Sequence, residues 1–336
     1  MNFKIIKKSF SLFAINCLLI GNIKAHHSMA SYATELSEYT GTIASVEWRN
    51  PHIVFTIINS LDNKLWRFEA ESIYVLKRAG INDQIIDVGD FVRIAANPSS
   101  IKDRDALAKN LLRPDGIEIV LHPTSKPLWS NNFVGIYNRS IENNTNIDTV
   151  SENKGFFRTW SNPGTFPKLT AHLPFTDRAL QSRKEWDVTN NFATRCEPEG
   201  MPRIMRNPHP YEFINLGKTI EIKTELYDTV RIVHMEDVSV TPNIKPSRLG
   251  YSTGYWENRD LVVKTSHIDW PYFDNIGTKQ SQNVVIEERY TLSNDQNRLY
   301  YHFSINDSYT FSEVATFEGY WVALGEILEP YSCSLY

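Results

Sequence analysis

Short segments in which apolar and polar residues alternate, separated by turn-forming residues, run along most of this chain of 336 residues. Residues 39–48 and 298–305 are two such segments, and both are rich in β-branched or aromatic side chains. Successive side chains of a β-strand point to opposite faces of the sheet, so a period of two is typical of half-buried strands. The pattern therefore predicts a mainly β protein with few and short helices.

The first predicted domain covers residues 26–122. Its expected strands lie at 39–48, 52–58, 65–70, 91–96 and 106–112, with a final extended run over 116–121. A short helix is expected over 72–79, with Ser72 as its N-cap and Gly80 as its C-terminal stop. Three strands, a helix and two further strands is the order of the OB-fold, so we predict an N-terminal OB-like five-stranded barrel.

The second predicted domain covers residues 186–336, after an irregular linker over 123–185 whose polar stretch at 140–154 shows no apolar period. Its strands are joined by short turns, such as Tyr227-Asp228 and Asn306-Asp307. Successive strands with short connections predict a C-terminal lipocalin-like up-and-down β-barrel. A barrel of that size has an interior that holds side chains or one small ligand.

Residues 1–25 have the pattern of a secretory signal peptide: early lysines, an apolar run over 9–20 and Ala25 at the cleavage position. The apolar run is shorter than the ~20 residues that a membrane-spanning helix needs. Cleavage after Ala25 makes His26 the first residue of the mature chain, and a competing cut follows Ala30. We therefore expect a periplasmic or secreted protein.

The charge of the mature chain argues against two classes of partner. Removal of residues 1–25 takes away four lysines and no acids, so the formal charge falls from −4 to −8. A mildly acidic chain without a basic groove is a poor candidate for binding nucleic acid or anionic membranes. No later segment is apolar enough for a transmembrane helix, so none is expected in the mature chain.

An N-terminal histidine suggests a copper site. His26 offers two nitrogens, its α-amine and its ring, and either His27 or His52 can supply a third. Copper(II) prefers nitrogen ligands in a tetragonal plane, and three such nitrogens form a histidine brace. The alternative is a mobile tail with two solvated histidines, in which His52 bonds a turn.

A resemblance supports export and the small barrel. The segments His26-His27-Ser28 and Val46-Glu47-Trp48-Arg49-Asn50-Pro51-His52 resemble a family of exported bacterial proteins of unknown function. Mature chains of that family begin His-His-Ser and carry a Trp-x-Asn-Pro-His motif. The likeness covers residues 26–121 and implies no particular reaction. Residues 174–330 resemble a companion domain found in some larger members.

Two cysteines follow the predicted signal peptide, Cys196 and Cys333. An even pair in an oxidising compartment predicts one disulfide bond, which would join the start of the second domain to the last residues of the chain. The alternative is two free thiols.

Several polar and aromatic side chains of the second domain are candidate ligand-binding residues. Arg203 and Arg206 are suited to an anionic head group or, alternatively, to a structural ion pair. Either His234 or His302 can face the barrel interior with Glu212, Glu225 or Glu287 as an acid/base pair, and the alternative is that these are core polar groups with satisfied hydrogen bonds. Trp256 belongs to a set of strand aromatics that either fill the core or line an apolar pocket.

These features favour an exported binding protein, with an apolar or aromatic small molecule in the second barrel and copper at the mature N-terminus. A rival is an isomerase, cyclase or hydratase that uses an acid/base pair inside that barrel. A third possibility is a non-catalytic interaction module of an envelope complex. The chain has no Gly-x-Ser-x-Gly elbow and no phosphate-binding loop, which argues against the enzyme classes that need them.

Overall fold

A computed structural model of the protein describes residues 32–100, 102–137, 155–163, 170–187, 191–235 and 243–333. It confirms the mainly β fold class. The first unit contains helix α1 (Ile73–Arg78) and strands β1 (Ser37–Glu47), β2 (Val54–Asn59), β3 (Leu65–Glu69), β4 (Phe91–Pro98), β5 (Asp105–Leu112), β6 (Glu118–Val120) and β7 (Phe133–Val134). The predicted signal peptide, His26 and His27 lie outside the described residues.

The first five strands form a closed barrel. Their order is β3-β2-β1-β4-β5, and β3 also pairs with β5 in parallel, which closes the sheet. This connectivity confirms the predicted OB-like barrel. A β-bulge between Ile43 and Ser45 bends β1 where it crosses β2. Gly41 allows the two strands to approach there, because a Cβ atom at this position would lie 2.3 Å from the carbonyl oxygen of Ile58.

The second unit is one ten-stranded sheet, curled into a large half-barrel. Its strand order is β8-β10-β11-β12-β13-β14-β15-β16-β17-β9. The elements are β8 (Thr159–Trp160), β9 (Thr170–His172), α2 (Asp177–Lys184), β10 (Tyr211–Asn215), β11 (Thr219–Thr224), β12 (Thr229–His234), β13 (Tyr251–Glu257), β14 (Asp260–Ser266), β15 (Val285–Leu292), β16 (Arg298–Asn306) and β17 (Ala315–Val322).

Part of the predicted linker belongs to this sheet. β8 pairs with β10, and β9 pairs with β17, so both edge strands come from the segment expected to be irregular. Helix α2 begins after Thr176, whose hydroxyl accepts a hydrogen bond of 3.2 Å from the backbone N–H of Ala179. Residues 138–154, which include the polar stretch, lie outside the described residues.

Aromatic side chains occupy the inside of the half-barrel. β16 shows the alternation clearly, since Leu299, Tyr301, Phe303 and Ile305 are buried and the residues between them are more exposed. Other aromatic residues fully buried in the same cluster are Trp160, Tyr211, Phe213, Tyr290, Phe317 and Trp321. Full burial of each such side chain contributes ~1.5–3 kcal/mol, so this aromatic core is a major source of stability in the second unit.

The disulfide bond is confirmed, because Cys196 and Cys333 are joined with their Cα atoms 5.7 Å apart. Cys196 ends a short 3₁₀ helix (Phe192–Arg195), so the bond fixes the C-terminal tail to the second unit.

The C-terminal tail contacts both units. The backbone N–H of Ser332 donates a hydrogen bond of 3.0 Å to the carbonyl oxygen of Asn50 in the first unit. The guanidinium of Arg78, at the end of α1, makes two bonds of 2.7 Å to Glu326. The tail therefore packs between the two units. None of the helices in the described ranges is long and apolar enough to cross a membrane.

Candidate functional site

His52 lies on the outer face of the small barrel, just before β2, and its Nδ1 atom pairs closely with the carboxylate of Glu69 on β3. The same carboxylate is 3.3 Å from the guanidinium of Arg67. Phe68, between these two β3 residues, points into the barrel core, which is why Arg67 and Glu69 share the outer face. The Glu69 carboxylate thus contacts both the His52 ring and the Arg67 guanidinium.

Tyr32 docks onto this face. Its hydroxyl donates a hydrogen bond of 3.1 Å to Asp105 and lies 3.5 Å from the Glu69 carboxylate. Asp105 is the register partner of Arg67 in the parallel β3–β5 pair, and the two form an ion pair of 2.6 Å. The chain preceding the barrel therefore runs past the Glu69 side chain that holds His52.

A second histidine–carboxylate pair lies close by, between His122 and Glu71 at 3.3 Å. The backbone N–H of Thr124 donates to Nδ1 of His122 over 3.1 Å, so this network assigns the proton to Nε2, which donates to Glu71. Lys109, only 6% exposed, lies near the same carboxylate. Burial lowers the pKa of Lys109 to about 8, although the Glu71 carboxylate opposes this shift.

These residues form one polar cluster on the barrel surface, which we call the His52 face. Its members are Tyr32, His52, Arg67, Glu69, Glu71, Asp105, Lys109 and His122.

Neighbouring charges shift the pKa values of His52 and Glu69, the central pair of the His52 face. Burial disfavours the charged form of His52, but the Glu69 carboxylate outweighs it, so the pKa of His52 lies above its ordinary value. Burial likewise acts against an ionised Glu69, yet His52 and Arg67 together lower its pKa to about 2. The pair is therefore a carboxylate that stays ionised and an imidazole oriented by it.

Of the three predicted copper ligands, His52 is the one that lies within the described residues. Among the described residues, no group of three or more histidine, cysteine, aspartate or glutamate side chains is placed to hold a metal ion. His52 has a carboxylate partner rather than a lone turn contact, while His26 and His27 fall outside the described ranges. The sequence pattern did not indicate Glu69, Glu71 or His122. Glu69 lies on β3, directly after β2 in the chain, so the register of this strand pair was the signal that could have found it, whereas His122 follows β6, much further along the chain.

In the second unit, two predicted acid/base residues face outward. Glu287 on β15 and His302 on β16 are exposed, so the prediction that His302 faces the interior is wrong. The inward position on β15 is Glu288, one residue further along. Of the other candidates, Glu212 and His234 are half-buried, and the His234 ring stacks on Tyr251 with 4.7 Å between ring centroids.

The buried charges of the half-barrel are instead Arg231 and Glu288. The guanidinium of Arg231 makes two bonds of 2.8 Å to Glu288, whose carboxylate also accepts a 2.6 Å bond from the Tyr290 hydroxyl. Arg231 was missed because its neighbours Val230 and Ile232 look like core residues. They are 43% and 49% exposed, and the parity of β12 places Arg231 on the inner face with Val233.

The remaining ligand candidates lie in two places. Trp256 is partly exposed and packs edge-on against Phe156, with ring centroids 5.1 Å apart. Arg203 and Arg206 lie together on a 3₁₀ helix (Arg203–Arg206), where a guanidinium nitrogen of Arg203 donates a 2.6 Å bond to the carbonyl oxygen of Arg206. The guanidinium carbon of Arg206 lies 4.8 Å from the centroid of the Phe317 ring.

Together, these features define a class of two-unit β protein: an OB-like barrel with a polar outer face, joined to a curled half-barrel with an aromatic core. A family of unknown function (DUF6152) matches residues 16–108, which include the barrel through most of β5. The match contains both His26-His27-Ser28 and the Trp-x-Asn-Pro-His segment. No curated protein sequence matches the chain.

Proposed function

We propose that the protein is exported and binds copper at its mature N-terminus, against the His52 face. The observation that carries this proposal is the position of Tyr32, whose hydroxyl lies 3.5 Å from the carboxylate that holds His52. His26 precedes Tyr32 by six residues, which span at most about 20 Å when extended. An N-terminal histidine is therefore within reach of the His52 ring.

The pairing of His52 suits a metal ligand. Metal-binding histidines commonly donate one ring N–H to a carboxylate, which orients the ring and leaves the other nitrogen for the metal. Glu69 occupies Nδ1 of His52, so Nε2 is the nitrogen that remains. The α-amine and ring of His26 would supply two further nitrogens, as copper(II) prefers. His27 is the other source of a third imidazole.

Binding measurements on single variants test which histidine completes the site. Mature protein that begins at His26 is titrated with copper(II), alongside His52→Ala and His27→Ala. We expect His52→Ala to weaken binding at least tenfold and His27→Ala to have a smaller effect, since loss of a first ligand or of its support has effects on this scale. The reverse order assigns the third nitrogen to His27.

His172→Ala is the matched control. This exposed histidine on β9 also pairs with a carboxylate, Glu313 at 2.9 Å, but it lies in the second unit. If His172→Ala weakens copper binding as much as His52→Ala, the ion is held by scattered surface histidines and the proposed site is wrong. Intact mass of protein from the native host tests export, because cleavage after Ala25 gives a chain that begins at His26.

For the second unit we propose the binding of a small molecule with an apolar body. The aromatic interior and the neighbouring arginine pair support this part of the proposal. Because the inner face of the sheet is occupied by side chains such as Trp321 and Tyr290, the ligand would bind beside this core and close to Arg206.

A further inference from the structure

We propose that Arg206 and Tyr301 form a binding site for a small monocarboxylate with a flat or apolar body. This inference rests on the small-molecule function proposed above for the second unit, and it names the chemical class of the ligand.

The charges around Arg206 leave one cation without a counterion. Arg183 pairs with Asp274 at 2.7 Å, and Arg203 pairs with Glu199 at 3.4 Å. The guanidinium of Arg206 makes no hydrogen bond or ion pair with any residue in the described ranges. Its contacts are the rings of Phe317 and Phe273, whose centroids lie 4.8 Å and 5.5 Å from the guanidinium carbon.

This unpaired guanidinium remains charged near neutral pH. Burial, together with the nearby cation of Arg203, lowers the pKa of Arg206 to about 10. The Arg206 side chain is half-buried, so an anion that enters here forms direct, charge-assisted hydrogen bonds with the guanidinium.

Tyr301 supplies a second polar group for the proposed site. It is 6% exposed and belongs to the inward-facing set of β16, yet its hydroxyl has no hydrogen-bond partner among the described residues. Arg206 lies over Phe317, whose ring stacks on Phe303 with centroids 4.4 Å apart, and the Phe303 ring lies 5.9 Å from that of Tyr301. The two groups therefore lie over neighbouring rings, and the charge of Arg206 acts on the phenol. Gly319 on β17 makes room for the hydroxyl, because a Cβ atom there would lie 2.4 Å from its oxygen.

The chemistry of these groups selects a carboxylate. A guanidinium binds the two oxygens of a carboxylate side by side, and the tyrosine hydroxyl can donate to one of them. One uncompensated positive charge matches a monoanion better than a phosphate dianion.

The test uses benzoate as the probe and benzamide as its neutral counterpart, titrated calorimetrically into the complete mature protein. We expect benzoate to bind at least tenfold more tightly than benzamide, since hydrogen bonds between charged groups are about twice as strong as neutral ones. Arg206→Met should abolish this preference. Tyr301→Phe, which keeps the ring, should weaken benzoate binding about tenfold. Gly319→Ala should weaken it as well, because the added methyl group displaces the Tyr301 hydroxyl.

Two outward-facing residues are matched controls. Tyr300→Phe removes a hydroxyl on the outer face of the same strand, and Arg298→Met removes a guanidinium that lies over Tyr320 on that face. Both should leave benzoate binding unchanged, and thermal unfolding of every variant establishes that it is folded. Equal losses in Tyr300→Phe and Tyr301→Phe would overturn the inference.

The remaining outcomes separate this inference from the proposed function. If benzamide binds as well as benzoate, the second unit binds small molecules but Arg206 does not select an anion, and the inference fails alone. If neither probe binds at millimolar concentration, both the inference and the small-molecule function of the second unit are contradicted. The copper proposal is unaffected in either case.

Discussion

The side-chain amide of Asn50 donates a hydrogen bond of 3.0 Å to the carboxylate of Glu225, across the junction of the two units. Asn50 also accepts a 3.4 Å bond from the backbone N–H of Ile73, at the start of α1. The predicted cap, Ser72, makes no such bond with its side chain. One residue of the Trp-x-Asn-Pro-His segment therefore joins the second unit, while His52, two residues later, belongs to the polar face.

Replacing Asn50 should destabilise the protein. Asn50→Ala leaves a buried carboxylate oxygen of Glu225 and the Ile73 N–H without this partner, so we expect a loss of about 1–3 kcal/mol in the free energy of unfolding. Urea denaturation followed by tryptophan fluorescence measures it. Asn283→Ala, at an exposed position, is the control and should change stability by less than about 0.5 kcal/mol. Equal effects of the two substitutions would contradict the role given to Asn50.

The ion pair between Arg231 and Glu288 predicts a strongly non-additive pair of substitutions. Glu288→Gln leaves a buried guanidinium without its counterion and should cost about 3–5 kcal/mol. The double variant Arg231→Met/Glu288→Gln removes both charges of the pair, so part of that loss in the free energy of unfolding should be recovered. Denaturant unfolding of the four proteins in this cycle measures the coupling. Additive losses would mean that the two charges do not stabilise each other.

Stability should fall in mild acid because of His209. This histidine is buried beside Glu225 at the junction, and burial lowers its pKa below the ordinary value. The unfolded chain, with a histidine pKa of ~6.5, therefore binds a proton that the folded chain resists. Its contribution to stability is complete above pH ~6.5 and is lost as the pH falls below that value.

The His209→Gln variant isolates this effect from other titrating groups. Wild-type protein and the variant are unfolded in urea at pH 7.5 and at pH 5. We expect the wild-type protein to lose more stability between these pH values than the variant does. The same loss in both proteins would show that His209 does not carry the acid sensitivity of the junction.

Local patterns in the sequence predicted much of the fold. Alternation over residues 298–305 correctly placed β16, and the strand–helix order of the first domain correctly indicated the OB-like barrel, because both depend on neighbouring residues. The two cysteines predicted their own bond, since they are the only two that follow the predicted signal peptide.

The arrangement of polar groups was harder to predict, because it depends on strand parity and distant contacts. Neighbouring residues of a strand face opposite sides of the sheet, so Glu287 points outward while Glu288 is buried. An error of one residue in assigning the faces therefore selects the wrong glutamate. Asn50 and Glu225 are 175 positions apart, so no local pattern connects them. His52 and Glu69 are only 17 positions apart, but their contact depends on the register between β2 and β3, which the alternating pattern alone does not give.

The most direct measurement of the central claim compares copper(II) binding by two proteins that differ at one end. One begins at His26 with a free α-amine, and the other carries an acetyl group on that amine, which removes it as a ligand. The copper site proposed here needs the amine, so acetylation should weaken binding by at least about tenfold, the lower end of the loss seen when even a residue that supports a metal ligand is removed. Equal affinity of the two proteins would contradict a copper site at the mature N-terminus.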